Sequence, residues 1–215
     1  MRAAKNLCLG VLSLTAFAGT IKIAHAHPHV FAEARFDVVV GRQGTVEKLR
    51  HLWRFDEVFS STVILEFDAN GDLTLDADEL EAASEVMHQS LGEYNYFQMI
   101  TANGATIEMK RPERLMASME NNQLIVFFET APAEPLKLSG KLVFGVYDPT
   151  FYTAIDFTDD TYMAVESMPA HCSRTVIRPD PDEAIAENQA ALTEAFFNDP
   201  TDLSKLFATR LQLDC

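Results

Sequence analysis

Twelve consecutive residues constrain this chain more than any others: Asp68-Ala69-Asn70-Gly71-Asp72-Leu73-Thr74-Leu75-Asp76-Ala77-Asp78-Glu79. Oxygen-bearing side chains stand at positions one, three, five, seven, nine and twelve of the stretch. A hard divalent cation takes about six to eight oxygens, and a short loop supplies them only when alternate residues turn inward. Asp68, Asn70 and Asp72 offer side-chain oxygens, and Thr74 offers its carbonyl. Asp76 would bind directly or through a water, and Glu79 would close the shell with both carboxylate oxygens. Leu75 is expected to point into the core.

The flanks predict a helix on each side. Asp56 is placed to cap a helix whose apolar residues Phe59, Val63 and Phe67 recur every four positions. After the loop, Leu80, Ala83, Met87 and Leu91 line one helical face, and Gly92 ends it. This helix–loop–helix resembles an EF-hand calcium module, an insertion over 56–92. It departs from that pattern at the sixth loop position, where Leu73 stands in place of the usual Gly. Holding an L-residue at positive φ costs about 1–2 kcal/mol. The expectation is calcium binding weakened by that strain, set against an acidic surface turn that binds nothing.

Residues 1–26 read as a cleavable secretory signal. Arg2 and Lys5 open it, Leu7 to Ala18 is apolar but short for a membrane span, and Ala24-His25-Ala26 gives a cleavage pattern before His27. Cys8 sits inside the apolar stretch without a lipoprotein-like pattern. The segment resembles a bacterial signal, which implies the periplasm and no membrane insertion after cleavage. Residues 27–215 then form a single domain. The whole chain carries a formal charge of −15. The leader holds Arg2, Lys5 and Lys22 and no acid, so its loss makes the remainder more acidic still. Such a chain is a poor ligand for nucleic acid or an anionic membrane and suits cations or a basic partner.

Two cysteines follow the leader, Cys172 and Cys215. In an oxidising compartment an even count predicts a disulfide between them. The rival, a thiolate metal site, lacks a close C-x-x-C pairing.

The remaining pattern predicts many short strands. Val30 to Val40 alternates apolar and polar residues, Gly41-Arg42-Gln43-Gly44 is a turn, and Thr45 to Phe55 returns as the second arm of a hairpin. Tyr96 to Thr101 and Thr106 to Met109 are expected to form a hairpin around Asn103-Gly104, Leu115 to Met119 and Leu124 to Thr130 another around Asn121-Asn122, and strands are expected at Leu142 to Tyr147, Tyr152 to Phe157, Tyr162 to Glu166, Arg174 to Arg178 and Thr209 to Leu213. Pro179 and Pro181 introduce a helix from Asp182 to Phe197. The fold class is α+β: a mainly antiparallel β-sandwich with an inserted EF-hand-like helix–loop–helix and a C-terminal helix.

Four stretches occur together in order: His27-Pro28-His29-Val30-Phe31, Trp53-Arg54-Phe55-Asp56-Glu57, the acidic loop, and Tyr147-Asp148-Pro149-Thr150. In this combination the chain resembles a bacterial family of unknown function, labelled the periplasmic component of an uncharacterised ABC-type transport system. The resemblance implies metal-ion transport, an inner-membrane metal transporter as partner, and no established reaction. The resulting expectation is a calcium-binding, non-catalytic accessory of such a system.

His27 and His29 carry a second metal reading. Cleavage after Ala26 would leave a free α-amine on His27, which with both imidazoles offers nitrogen ligands to Ni²⁺, Co²⁺, Zn²⁺ or Cu²⁺. Pro28 has no amide proton, so a chelate through successive deprotonated amides is excluded. The alternatives are therefore a transition-metal chaperone or solute-binding protein using this terminus, or a copper histidine-brace enzyme. Asp148 or His171 would complete such a shell only if the fold brings them close. His51 and His88 read as surface or hydrogen-bonded structural residues. No G-x-S-x-G, H-E-x-x-H or phosphate-binding glycine loop is present, so an enzyme is not expected.

Overall fold

Strand β1 (Val30–Val40) buries every second residue, and Ala34, Phe36 and Val38 are wholly inaccessible. Its partner β2 (Thr45–Phe55) buries Leu49, His51 and Trp53 on the same face. One buried face on each of two long strands requires a second layer, and the rest of the chain supplies it. A computed structural model describes residues 28–189 and 203–215.

After β2 come helices α1 (Glu57–Phe67) and α2 (Ala77–Gly92), then a 3₁₀ turn at Asn95–Phe97. Strands β3 (Gln98–Ala102), β4 (Ala105–Thr106), β5 (Met116–Glu120), β6 (Gln123–Thr130), β7 (Leu136–Lys137) and β8 (Lys141–Val146) follow. Next are β9 (Thr153–Asp156), β10 (Met163–Glu166) and β11 (Ser173–Ile177). Helices α3 (Pro181–Glu187) and α4 (Ser204–Phe207) precede the last strand, β12 (Arg210–Asp214).

The first sheet runs β10-β1-β2-β6-β5, with β9 also on β1 and β7 on β2. The second runs β11-β12-β8-β3-β4. Their inner faces meet in an aromatic core: Phe36 faces Phe144, Trp53 stacks on Phe97, and Phe128 packs against Tyr96. The fold is α+β, and most pairings are antiparallel. Two are not: β9 and β10 both run parallel to β1, because the chain crosses between sheets after β8. The expected strands on either side of Asp148-Pro149-Thr150 are therefore in different sheets.

Several expected elements shift for local reasons. Tyr96 and Phe97 precede β3 in a turn at positive φ, so that strand starts at Gln98. The arm after Gly104 shortens to two residues, with one further bridge from Met109 to Pro132. The turns at Asn103-Gly104 and Asn121-Asn122 have positive φ at both residues, as tight hairpins require. Helix α3 begins at Pro181 with Asp180 as its cap. It ends at Glu187 with Asn188 as its C-cap, so the expected helix to Phe197 is interrupted there, and residues 190–197 lie outside the described residues.

Cys172 and Cys215 are joined in a disulfide, immediately before β11 and after β12. Ser173 pairs with Asp214 just inside it, and Cys215 exchanges both backbone hydrogen bonds with Gly140. The bridge pins the chain's last residue into the second sheet.

Candidate metal centre

Helix α1 starts at Asp56 because its carboxylate accepts N–H bonds from Val58 and Phe59 at 2.9 and 3.0 Å. It lays Val63 on the core with Phe59 and Phe67 beside it. Helix α2 starts with a complete capping box: Asp76 accepts from Glu79 N–H, and Glu79 accepts from Asp76 N–H at 2.9 Å. Ala83 is wholly buried on its inner face, with Leu80, Met87 and Leu91 alongside.

Two serines, which the periodicity argument passed over, latch this unit to the β5–β6 hairpin. Ser60 Oγ donates to Asp56 O and accepts from Leu124 N–H of β6 at 2.9 Å. Ser84 Oγ donates to Leu80 O and accepts from Ala117 N–H of β5 at 3.1 Å. Both fall on the buried side of their helices, next to Phe59 and Ala83. That placement of a small polar residue was the available signal.

Within the loop, every expected side-chain ligand is turned to a backbone N–H. Asp68 Oδ1 accepts from Gly71 and Asp72, and its Oδ2 from Leu73 at 2.8 Å. Asn70 Oδ1 accepts from Asp72 N–H at 2.9 Å. Asp72 Oδ1 accepts from both the amide and hydroxyl of Thr74, and these bonds hold its carboxyl below the usual range. Glu79 is only 7 % exposed. Its Oε1 accepts from Ala69 at 2.8 Å and Asn70 at 3.3 Å. The last loop position thus closes over the second and third. Leu75 packs into the core, while Leu73 takes φ 64 with a side chain 68 % exposed.

Among the described residues no three His, Cys, Asp or Glu side chains stand together as a ready metal-binding group. The loop's oxygens are of the class that a hard cation takes. The donors are carboxylate, amide and carbonyl oxygens, without nitrogen or sulfur. The carboxylates of Asp68, Asp72 and Glu79 each keep lone pairs beyond their N–H partners.

The terminal histidines are placed differently. His27 lies outside the described residues. His29 is exposed, its ring centroid is 5.1 Å from that of Tyr152, and its N–H donates to Tyr152 O. Pro28 shares a cavity wall with Asp148, which is buried and whose oxygens accept from Thr150 and Thr153. The first and last of the four sequence stretches therefore meet in space. His171 does not join them. It neighbours the Gly41–Gly44 turn at the far end of β1, roughly 30 Å away at 3.3 Å per residue.

His88 is buried on α2, and its Nε2 hydrogen bonds to Pro112 O at 2.9 Å, which assigns the proton to Nε2. His51 departs from expectation. It is fully buried between the sheets, stacked on Phe128 at 4.4 Å, and neither ring nitrogen has a hydrogen-bond partner. Its strand position faces inward with Leu49 and Trp53, which the alternation of β2 encoded. Burial pushes its pKa down to about 3, with the nearby Gln98 side chain opposing in part.

The model of a family described as "Protein of unknown function (DUF1007)" matches residues 12–215. A relative from Spirochaeta aurantia, described as "Uncharacterized 15.5 kDa protein in trpE 3'region", is 22% identical over 134 residues. That alignment covers 62% of this chain and 96% of the relative.

Proposed function

The chain belongs to the DUF1007 family of proteins of unknown function, and for this member we propose that the loop Asp68–Glu79 binds Ca²⁺. The protein would act in the periplasm as a non-catalytic accessory of a metal-ion transport system, the setting its sequence motifs suggest. Calcium would be held by Asp68, Asn70, Asp72, Thr74, Asp76 and Glu79. The ion would supply charge neutralisation and cross-linking of the loop, with no reaction routed through it.

One observation carries the reading: the buried Glu79 carboxylate reaches from the end of the loop to N–H groups at its start. The carboxylate expected to close the shell already reaches the second and third residues of the loop. The two serine latches fix both flanking helices to one hairpin, so the helices that carry the loop are anchored without an ion. Such preorganisation lowers the ordering cost of binding.

The test is calorimetric titration of Ca²⁺, with Mg²⁺ for comparison, into protein beginning at His27. Saturable binding of one Ca²⁺, weakened sharply by Glu79→Gln, is expected. Absence of Ca²⁺ binding by the unaltered protein would overturn the assignment.

A further inference from the structure

The chain has 32 acidic and 17 basic residues, so its cations should ordinarily find acidic partners. Lys48, Arg50, Arg54 and Arg178 do so in ion pairs. Lys110 and Arg114 have no such partner among the described residues. They stand instead with Lys48 and Arg111 around a cavity of about 430 Å³ beside the β5–β6 hairpin. Glu113 and Glu129 also line it, but Glu129 is already engaged by Lys48 at 2.9 Å and by Arg50 at 3.0 Å.

The segment bearing these cations is fixed in place. Met109, Pro112 and Leu115 are buried, while Lys110, Arg111, Glu113 and Arg114 face out. Lys110 N–H donates to Ala131 O at 2.8 Å, Met109 bridges to Pro132, and His88 from α2 donates to Pro112 O. Arg111 reaches back to His88 O. The segment is anchored at Met109, Lys110 N–H and Pro112, and Lys110 and Arg114 line the same concave space.

We propose that this cavity is a binding site for a small polyvalent oxyanion, held by Lys110 and Arg114 with Arg111 beside them. An ammonium supplies a point charge and a guanidinium a fork matched to paired oxygens, a combination suited to phosphate or clustered carboxylates. The acidic remainder of the molecule repels anions, but at about 150 mM salt that long-range field is screened beyond roughly 8 Å. The local cations then decide. The site is separate from the calcium loop and does not depend on its assignment.

The experiment titrates pyrophosphate, and separately citrate, into the intact protein in calcium-free buffer at about 150 mM salt. The unaltered protein, Lys110→Gln/Arg114→Gln and a control, Arg42→Gln, are compared, with circular dichroism to establish that each is folded. Binding of either probe by the unaltered and control proteins, weakened at least about tenfold in the double variant, supports the site. The stronger probe tells phosphate from carboxylate chemistry. No binding of either probe at millimolar concentration, or binding undiminished in a folded double variant, overturns it.

Discussion

Asp56 and Phe31 are joined twice: Asp56 N–H donates to Phe31 O, and Phe31 N–H donates to Asp56 Oδ2, each at 2.8 Å. The other carboxylate oxygen caps α1. One side chain therefore ends the β1–β2 ladder and begins the helix that leads to the loop. Some burial raises its pKa, but the N–H groups of Phe59, Phe31 and Val58 outweigh this and hold it below the usual value.

Asp56→Ala should remove both functions at once. A lost cap costs about 0.5–2 kcal/mol, and here the Phe31 amide loses its acceptor as well. The expected result in urea unfolding is a lower midpoint by about 2 kcal/mol equivalent. Because the carboxyl is acidified by folding, the deficit should be present near neutral pH. It should shrink as the pH falls through the pKa of folded Asp56, where the unaltered protein loses the same contribution. A deficit independent of pH would show that the charge is immaterial.

Leu73→Gly should stabilise the loop. Leu73 sits at φ 64 and leaves its side chain largely in solvent, so glycine sacrifices little packing. Relief of about 1 kcal/mol is expected, less than the full left-handed penalty because glycine loses more entropy on ordering. Thermal unfolding should shift upward and calcium affinity should rise. Glu79→Gln should do the reverse. It exchanges a charged acceptor of three N–H bonds for an amide, so it should weaken calcium binding and destabilise the metal-free protein. An unchanged melting temperature in the metal-free Glu79→Gln protein would contradict the clasp.

His51 predicts an acid-sensitive stability. Folding keeps it neutral down to about pH 3, whereas in the unfolded chain it takes a proton near pH 6.5. Between those values the unfolded state binds the extra proton, so stability falls as pH falls, by about 2 kcal/mol at pH 5. His51→Phe, which keeps a ring against Phe128 and removes two unpaired nitrogens, should flatten that dependence. Denaturant midpoints from pH 7 to pH 4 would measure it. Parallel curves for the two proteins would refute the assignment.

Replacing both Cys172 and Cys215 with alanine should lower stability by about 4 kcal/mol, the loop-entropy value for a separation of 43 residues. The loss should appear in equilibrium unfolding and be reproduced by reducing the unaltered protein.

The local elements were written in the residues themselves. The alternation of β1 and β2, the cap at Asp56, the Asn-Gly and Asn-Asn turns and the positive φ at Leu73 depend on neighbours within a few positions. The spacing of the loop's oxygens is equally local. Partners far apart in sequence were a different matter. That β9 and β10 run parallel to β1 follows from a crossover between sheets, which short-range periodicity does not encode. The latches from Ser60 to Leu124 and from Ser84 to Ala117 span 64 and 33 residues. His51 has the same inward register as Trp53, yet its isolation became visible only when Phe128 and Phe36 closed around it. No local pattern marks Lys110 and Arg114; the cavity they line exists because β6 residues form its other wall. Backbone preferences decide over one or two turns of chain, while burial and charge pairing are settled by whatever the fold brings alongside.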